Sequence, residues 1–145
     1  MDATQRTIVV GVDGSEDAER ALGWAIEEAR LRSAPLRLVS AWHVPAVVFG
    51  GPGFSPTLDR PIEETFEEVA KEAAEAAAKK ARAAGLEAEA ATRQGQAADV
   101  LLNEAENAGM LVVGSRGHGG FAGLLLGSVS AQCAHHAPCA LVIVH

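Results

Sequence analysis

Aromatic residues are scarce in this chain, at 4% of its 145 residues, although hydrophobic residues of all kinds make up 48%. A core of this composition must be built mainly from Val, Leu, Ile and Ala. The apolar content argues against a chain that is disordered throughout. At this length the simplest expectation is one domain that spans residues 1–145.

Cysteine is also rare, because Cys133 and Cys139 are the only two in the sequence, and two are too few for a disulfide scaffold. The first residues are polar and lack the basic start and long apolar core of a signal peptide. We therefore expect a cytoplasmic protein with both thiols reduced and buried. His135 and His136 have no metal-ligand spacing with either cysteine, so no directly bound metal is predicted.

Positive charge is neither abundant nor clustered, and the formal net charge is −7. This balance argues against nucleic acid and against an anionic membrane surface as partners. No apolar run approaches the roughly 20 residues of a membrane span. We expect neither a nucleic-acid partner nor a membrane partner.

What the chain does contain is an alternation of strand and helix patterns. Strand patterns lie at 7–12, 36–42, 86–93, 110–114 and 140–144, and helix patterns follow Ser15 and lie at 62–85, 97–108 and 128–136. Ser15 is suited to cap the first helix, with Glu16 and Asp17 at its positive end. A long loop is expected at 43–61. Strict alternation predicts an α/β fold, an open doubly wound five-stranded parallel sheet with helices on both faces.

Two turns fall at the carboxyl edge of this sheet, where doubly wound folds bind ligands. One is "DGS" after the first strand, and the other is the glycine-rich "GSRGHGGFAGLLLGS" at 114–128. A Walker A loop is excluded because Gly120 and Phe121 stand where Lys and Ser or Thr are needed. "GHGGFA" has the spacing of a dinucleotide fingerprint, but no acidic residue follows about twenty positions later. The segment therefore favours neither motif.

The glycine-rich segment matches a third nucleotide-binding pattern without gaps. Gly114, Gly117, Gly127 and Ser128 match the pattern G-x2-G-x9-G-[ST], and "VVGVDGS" comes before them in the first strand and turn. These blocks closely resemble the ATP-binding branch of the universal stress protein family, over essentially the whole chain. The resemblance implies a Rossmann-like fold of the adenine-nucleotide α-hydrolase type. It also implies ATP or a related adenine nucleotide between the first and fourth strands, with Mg²⁺ carried by the phosphates.

The resemblance further implies which residues contact the nucleotide. They fall after the first strand, at the ends of the second and fourth strands, and around the start of the last helix: Gly11, Val12, Asp13, Ala41, Val113, Gly114, Gly117, Gly127, Ser128 and Val129. The first three would lie beside the nucleoside, and the alanine would flank the adenine. The two residues that end the fourth strand would lie near the ribose, and the last four would hold the phosphates.

Physical reasons support these roles independently. Because Ser128 opens a helix, residues 127–129 should present free N–H groups to an anion, and its hydroxyl can add a donor or cap the helix. Gly114 should let the chain turn off the strand, and Gly117 should leave room for phosphate oxygens. Asp13 can accept from a ribose hydroxyl or a base amine, hold Mg²⁺ through water, or shape "DGS" as an Asx-turn.

Turnover has less support in the sequence than binding. Arg116 and His118 could contact phosphate or stay solvated, but no Gln or Glu is placed to orient water for fast hydrolysis. We therefore predict a nucleotide-dependent sensor or regulator in the stress response, with no catalytic residue and at most slow ATP hydrolysis. A slow ATPase or phosphotransfer enzyme, and a cAMP- or AMP-binding module of the same fold, are the alternatives.

The last strand pattern bears on assembly. Residues 140–144, "ALVIV", carry no charge or proline, and such an apolar strand at a sheet edge invites pairing. The resemblance implies the same, and we predict a homodimer joined through Ala140–Val144. Lysine in place of Val142 should then give a monomer.

Overall fold

The computed structural model describes residues 6–45, 61–117 and 126–145. Along these residues strands and helices alternate as the sequence predicts: β1 (Ile8–Gly11), α1 (Glu16–Arg32), β2 (Leu36–Trp42), α2 (Ile62–Ala83), β3 (Ala88–Gln94), α3 (Ala97–Glu104), β4 (Met110–Gly114), α4 (Ser128–His136) and β5 (Ala140–Val144). Residues 46–60 of the expected loop at 43–61, and residues 118–125 of the glycine-rich segment, lie outside the described residues.

The third helix is shorter than its pattern predicts, because α3 ends at Glu104 rather than at residue 108. Beyond this point the N–H of Glu106 bonds to the carbonyl of Asn103, and that of Ala108 bonds to the carbonyl of Ala105. These three-residue steps continue the chain in tighter turns, so the helical pattern persists after the α-helix has ended.

The five strands form one parallel sheet in the order β3-β2-β1-β4-β5. Ile8 of β1 is in register with Leu36 of β2 on one side and with Met110 of β4 on the other. The winding therefore reverses between β1 and β4, which confirms the predicted doubly wound topology. In such a sheet the crevice beyond the carboxyl ends of these two strands is the expected ligand site.

Two aliphatic layers pack on the two faces of the sheet. Along β1, Ile8 and Val10 join the cluster under α1 and α2, whereas Val9 joins the cluster under α3 and α4. This alternation follows from the two-residue period of a strand. Among the described residues the buried hydrophobic side chains are aliphatic residues, Met110 and Cys133, with no Phe or Trp. The predicted aliphatic core is confirmed.

The charge run in α2 covers one face of the helix. Its buried residues are all alanines, at positions 70, 74, 77, 78 and 81, so small side chains bring the helix close to the sheet. Its charged residues are all exposed. Over the ranges that the structure describes, no helix has both the length and the apolarity needed to span a membrane.

Candidate functional site

A cavity of about 380 Å³ opens at the carboxyl edge of the sheet, at the reversal point between β1 and β4. The structure brings all the predicted contact residues of the described chain to its wall, together with Arg116: Gly11, Val12, Asp13, Ala41, Val113, Gly114, Gly117, Gly127, Ser128 and Val129. His118 lies outside the described residues. The sequence patterns thus converge on one place, although their roles toward a ligand stay predictions.

One end of the cavity is apolar. Val39 and Ala41 come from β2, and Val113 comes from β4. The sequence analysis missed several wall residues: Ser15, Ala18, Val39, Ser130 and, on α3, Ala97 and Leu101. The topology contains the signal for the last two, because α3 follows β3 and therefore starts at the same carboxyl edge.

Gly11 makes room for one of these missed residues. A Cβ at Gly11 would lie 2.9 Å from Leu101 Cδ1, which is closer than real contacts of this kind. The glycine at the end of β1 thus lets α3 pack against the strand and close the apolar end of the cavity.

The "DGS" turn is built by its own side chains. The N–H of Ser15 donates to Asp13 Oδ1 at 2.8 Å, which confirms the Asx-turn, and Gly14 takes the positive φ of 81°. The N–H of Ala18 then donates to Ser15 Oγ at 3.2 Å, which confirms Ser15 as the cap of α1. Asp13 is exposed at the cavity wall, and its predicted contact with a ligand stays a prediction.

The reasons given for two glycines need correction. Gly114 is part of β4 and does not use the left-handed backbone; a Cβ there would lie 2.8 Å from the backbone carbon of Asp17. Its role is to let the first turn of α1 approach the strand, not to turn the chain. A Cβ on Gly117 would lie 2.7 Å from Asp13 Oδ2, so the space that Gly117 leaves is used by a carboxylate of the chain itself.

The start of α4 differs from its prediction in one respect. The N–H of Gly127 donates to the carbonyl of Ser115 at 2.6 Å, so this amide is not free for an anion. The helix itself begins at Ser128, and the first intrahelical bond runs from Ala131 to the carbonyl of Gly127. The amides of Ser128 and Val129 thus belong to the first turn, which has no intrahelical acceptor and attracts anions.

The side-chain hydroxyl that stabilises the start of α4 belongs to Ser130 rather than to Ser128. Gly127 is the N-cap residue and provides no side-chain cap, so Ser128 does not cap the helix with its hydroxyl. Ser130 Oγ donates to the carbonyl of Ser115 at 2.7 Å and lies 3.1 Å from that of Gly127. The exposed Ser128 hydroxyl is left at the cavity wall.

Asp17 is the main polar residue whose position the sequence analysis missed. It was assigned to the positive end of α1, yet it is only 7% exposed and reaches across to the end of β4. Its Oδ2 accepts from Ser115 Oγ at 2.9 Å and from the N–H of Arg116 at 3.0 Å, and its Oδ1 pairs with Arg20. The sequence does indicate that Asp17 faces inward, because it lies on the same face of the helix as Ala21 and Ala25, which are both fully buried.

Among the described residues that line this cavity, Arg116 is the one with a positively charged side chain. It is half-buried, and its Nε lies 3.8 Å from Asp17 Oδ2. The guanidinium is therefore held at the wall that leads from β4 toward α4. Its contact with a phosphate stays a prediction.

The remaining candidates for chemistry lie elsewhere. Cys133 is buried and Cys139 half-buried, both as free thiols, and burial raises the pKa of each. Raised thiol pKa values favour packing over reactivity. His135 and His136 are exposed in the last turn of α4. In the parts of the chain that the structure describes, no three His, Cys, Asp or Glu side chains group as metal ligands.

The fold is that of a doubly wound α/β protein with a cavity at its topological switch point, where proteins of this class bind ligands. Comparison with known proteins gives the family. Residues 5–145 match the Universal stress protein family, and the chain belongs to it.

Individual relatives agree. A universal stress protein of Mycolicibacterium smegmatis is 37% identical over 154 aligned residues, which cover 100% of this chain and 50% of the relative. The chain thus spans about half the length of this relative. A solved universal stress protein in complex with cAMP is 30% identical, with a TM-score of 0.69 and 98% of each chain covered. The universal stress protein from Archaeoglobus fulgidus in complex with dAMP is 28% identical, with a TM-score of 0.65, covering 98% of this chain and 99% of the other.

Proposed function

We propose that this protein binds an adenine nucleotide, ATP, in the cavity between β1 and β4 and acts as a nucleotide-dependent regulator. The observation that carries the proposal is the division of the cavity into two chemically different ends. Apolar side chains of β2 and α3 suit a purine ring, and the first-turn amides of α4 suit a phosphate. A volume of about 380 Å³ lies within the usual range for small-molecule sites.

The relatives support the adenine and the phosphate. Two solved relatives, at 30% and 28% identity, are complexes with cAMP and dAMP, each with one phosphate on an adenine nucleoside. This observation also favours a second candidate function, a cAMP- or AMP-binding module with the same site. The two candidates differ in the number of phosphates that the wall formed by Gly117, Ser128 and Val129 accepts.

Mg²⁺ would accompany ATP through its phosphates. Asp13 is the sole carboxylate among the described residues of the cavity wall, and its Oδ1 is already bonded to the N–H of Ser15. One such oxygen-bearing side chain fits an ion that keeps most of its water and is bound mainly by phosphate. The ion would supply charge neutralisation between the phosphates.

The cavity wall favours binding over turnover. Its described residues include no Gln, Glu or His that could orient a water, and Arg116 is its one cation. Fast phosphoryl transfer needs both a water-positioning group and charge stabilisation around the γ-phosphate. A regulator whose states differ in nucleotide occupancy is therefore proposed, with a slow ATPase or phosphotransfer enzyme as the alternative.

The test begins with the ligand that the protein carries. The purified protein is denatured and the released nucleotide identified by chromatography; the emptied protein is then titrated with ATP, ADP, AMP, cAMP and adenosine by calorimetry. We expect ATP to bind more tightly than AMP and cAMP, and phosphate release at saturating ATP and Mg²⁺ to be slow. Tighter binding of AMP or cAMP selects the second candidate, rapid steady-state release selects the enzyme, and no binding of any of them overturns the proposal.

We also propose that two copies pair along β5. This strand pairs with β4 on one side only, and the residues from Leu141 to Val144 are half-buried rather than covered. The N–H of Ser115 donates to the carbonyl of Val144, so strand alternation turns the backbone groups of Leu141 and Ile143 to the outer edge. These groups can pair with a second β5.

Sedimentation measures this pairing directly. We expect the wild type to be a dimer, Val142→Lys a monomer, and Val69→Lys still a dimer, because Val69 is 64% exposed on α2. Val142 packs partly on the core, so circular dichroism must show that the lysine variant is folded. A monomeric wild type, or a folded lysine variant that remains dimeric, contradicts the pairing.

A further inference from the structure

A buried carboxylate lies directly behind the wall that would bind phosphate. Asp17 belongs to the first turn of α1, and the missing Cβ of Gly114 lets it approach the end of β4. Its Oδ2 accepts from the Ser115 hydroxyl at 2.9 Å and from the Arg116 amide at 3.0 Å. One oxygen atom therefore fixes two consecutive residues as the chain leaves the sheet.

Ser115 transmits this constraint to α4. Its carbonyl accepts from the Gly127 N–H at 2.6 Å and from Ser130 Oγ at 2.7 Å, and its own N–H donates to Val144 at 2.8 Å. The start of α4 is thus bonded to the same residue that Asp17 holds. These contacts connect α1, β4, α4 and β5 through buried polar groups, which are hard to rearrange once they are satisfied.

The same contacts decide which groups can face an anion. The amides of Arg116 and Gly127 are used inside the protein, whereas those of Ser128 and Val129 lie in the open first turn of α4. The negative charge of Asp17 is offset by Arg20 on one oxygen and by Arg116 near the other. The wall can therefore present amides to a phosphate although a carboxylate lies behind it.

We propose that Asp17 is a positioning residue that sets how strongly the site prefers phosphorylated ligands. It acts by fixing the backbone of residues 115–116 and, through Ser115, the start of α4. The apolar end of the cavity, formed by β2 and α3, takes no part in this network. This inference rests on the proposed nucleotide binding and specifies which part of that binding depends on Asp17.

The experiment compares ATP with adenosine on the same proteins. In Asp17→Ala, we expect the dissociation constant for ATP to rise about tenfold and that for adenosine to change less than twofold. The matched control is Glu16→Ala, which removes a carboxylate from the same helical turn but from an exposed side chain. The control should leave both constants within twofold of the wild type.

Two further variants keep the test decisive if Asp17→Ala does not fold. Ser115→Ala removes one donor from Oδ2, and we expect the preference for ATP over adenosine to fall about threefold. Asp17→Asn can still present one oxygen to Ser115 and Arg116, and we expect it to restore ATP affinity to within threefold of the wild type. Rescue by Asn and loss by Ala support positioning by hydrogen bonds.

The outcomes separate this inference from the function on which it rests. A wild type that binds neither ATP nor adenosine overturns the proposed function. A wild type that binds ATP, with equal losses for ATP and adenosine in the folded Asp17→Ala variant, shows a purely structural role and overturns the inference. An unchanged preference for ATP in Ser115→Ala overturns it as well.

Discussion

The two edges of the sheet each have a cavity, and the larger cavity is the less suited to a ligand. The carboxyl-edge cavity has about 380 Å³, whereas a cavity at the amino edge, between β2, β3 and the end of α3, has about 740 Å³. The amino-edge cavity is lined by charged side chains that bind one another. Arg37 donates to Glu104 at 2.6 Å and lies 3.0 Å from Glu89; Arg93, which is not part of this lining, also lies 3.1 Å from Glu104.

The difference lies in whether the polar groups already have partners. Glu104 raises the pKa of the Arg37 guanidinium, which shows that the two ions stabilise each other. At the carboxyl edge the first turn of α4, with Ser128 and Val129, instead lies at the cavity wall. Among the described residues, the polar groups of the amino edge pair with one another, whereas the first-turn amides of α4 have no intrahelical acceptor; this difference, rather than volume, favours the carboxyl edge as the binding site.

The largest effect is expected where α1 meets β4. In Gly114→Ala the new Cβ would lie 2.8–2.9 Å from backbone and Cβ atoms of Asp17, and backbone cannot move aside as a flexible side chain can. We expect the free energy of unfolding to fall by about 3 kcal/mol, the upper range for overpacking. Denaturant unfolding measures this loss.

Gly23→Ala provides the matched control for this substitution. It changes the same residue type within α1, where a Cβ would meet nothing within 4 Å. Helix propensity alone should then raise stability by about 0.5–1 kcal/mol. A Gly114→Ala variant as stable as the wild type would contradict the close packing of α1 against β4 at this glycine.

The next effect concerns the amide of Ser128 itself. Proline is tolerated at the first helical position, and Gly127 before it has φ −77° and ψ 173°, which suits a residue that precedes proline. Ser128→Pro should therefore keep α4 while it removes one N–H, and we expect ATP binding to weaken about tenfold, or about 1.4 kcal/mol. Adenosine binding should not change.

Ser128→Ala separates the hydroxyl from the amide. It removes the side-chain donor and keeps the N–H, and we expect a loss of at most about threefold in ATP affinity, or about 0.7 kcal/mol. Calorimetry on both variants measures the two contributions. If alanine and proline weaken ATP equally, the hydroxyl rather than the helix start binds the phosphate.

The sequence predicted which strands and turns form this site better than it predicted the side-chain contacts within the site. Aliphatic runs and strict alternation place the strands, and the turns that follow β1 and β4 then meet at one edge because parallel strands share their direction. The contacts of Asp17 with Ser115 and Arg116 join positions 98 and 99 residues apart. A local pattern marks Asp17 as facing inward but does not show which strand end it meets.

The glycines illustrate the same limit. The spacing of Gly114, Gly117 and Gly127 marks a segment that needs close backbone approach, and the structure confirms the need. What approaches Gly114 and Gly117 is Asp17 and Asp13, from a different helix and turn. The spacing of the glycines indicates positions where a side chain would not fit. Only the three-dimensional packing shows which atoms a Cβ would meet there.

The remaining prediction concerns stability at the amino edge. Glu104→Gln removes the charge that binds both Arg37 and Arg93, and its side chain is 14% exposed, so we expect a loss of about 1 kcal/mol in unfolding free energy. Glu89→Gln is the control, because Glu89 also pairs with Arg37 but is 72% exposed and should cost at most about 0.3 kcal/mol. Denaturant unfolding distinguishes the two.

This substitution also tests whether the two edges are independent. Glu104 ends the same helix that contributes Ala97 and Leu101 to the apolar wall of the carboxyl-edge cavity. If the amino-edge ion pairs serve stability alone, Glu104→Gln should leave the dissociation constants for ATP and adenosine within twofold of the wild type. Weaker binding of both ligands would mean that these ion pairs keep α3 in the position in which Ala97 and Leu101 contact the adenine. The two edges of the sheet would then both contribute to nucleotide binding.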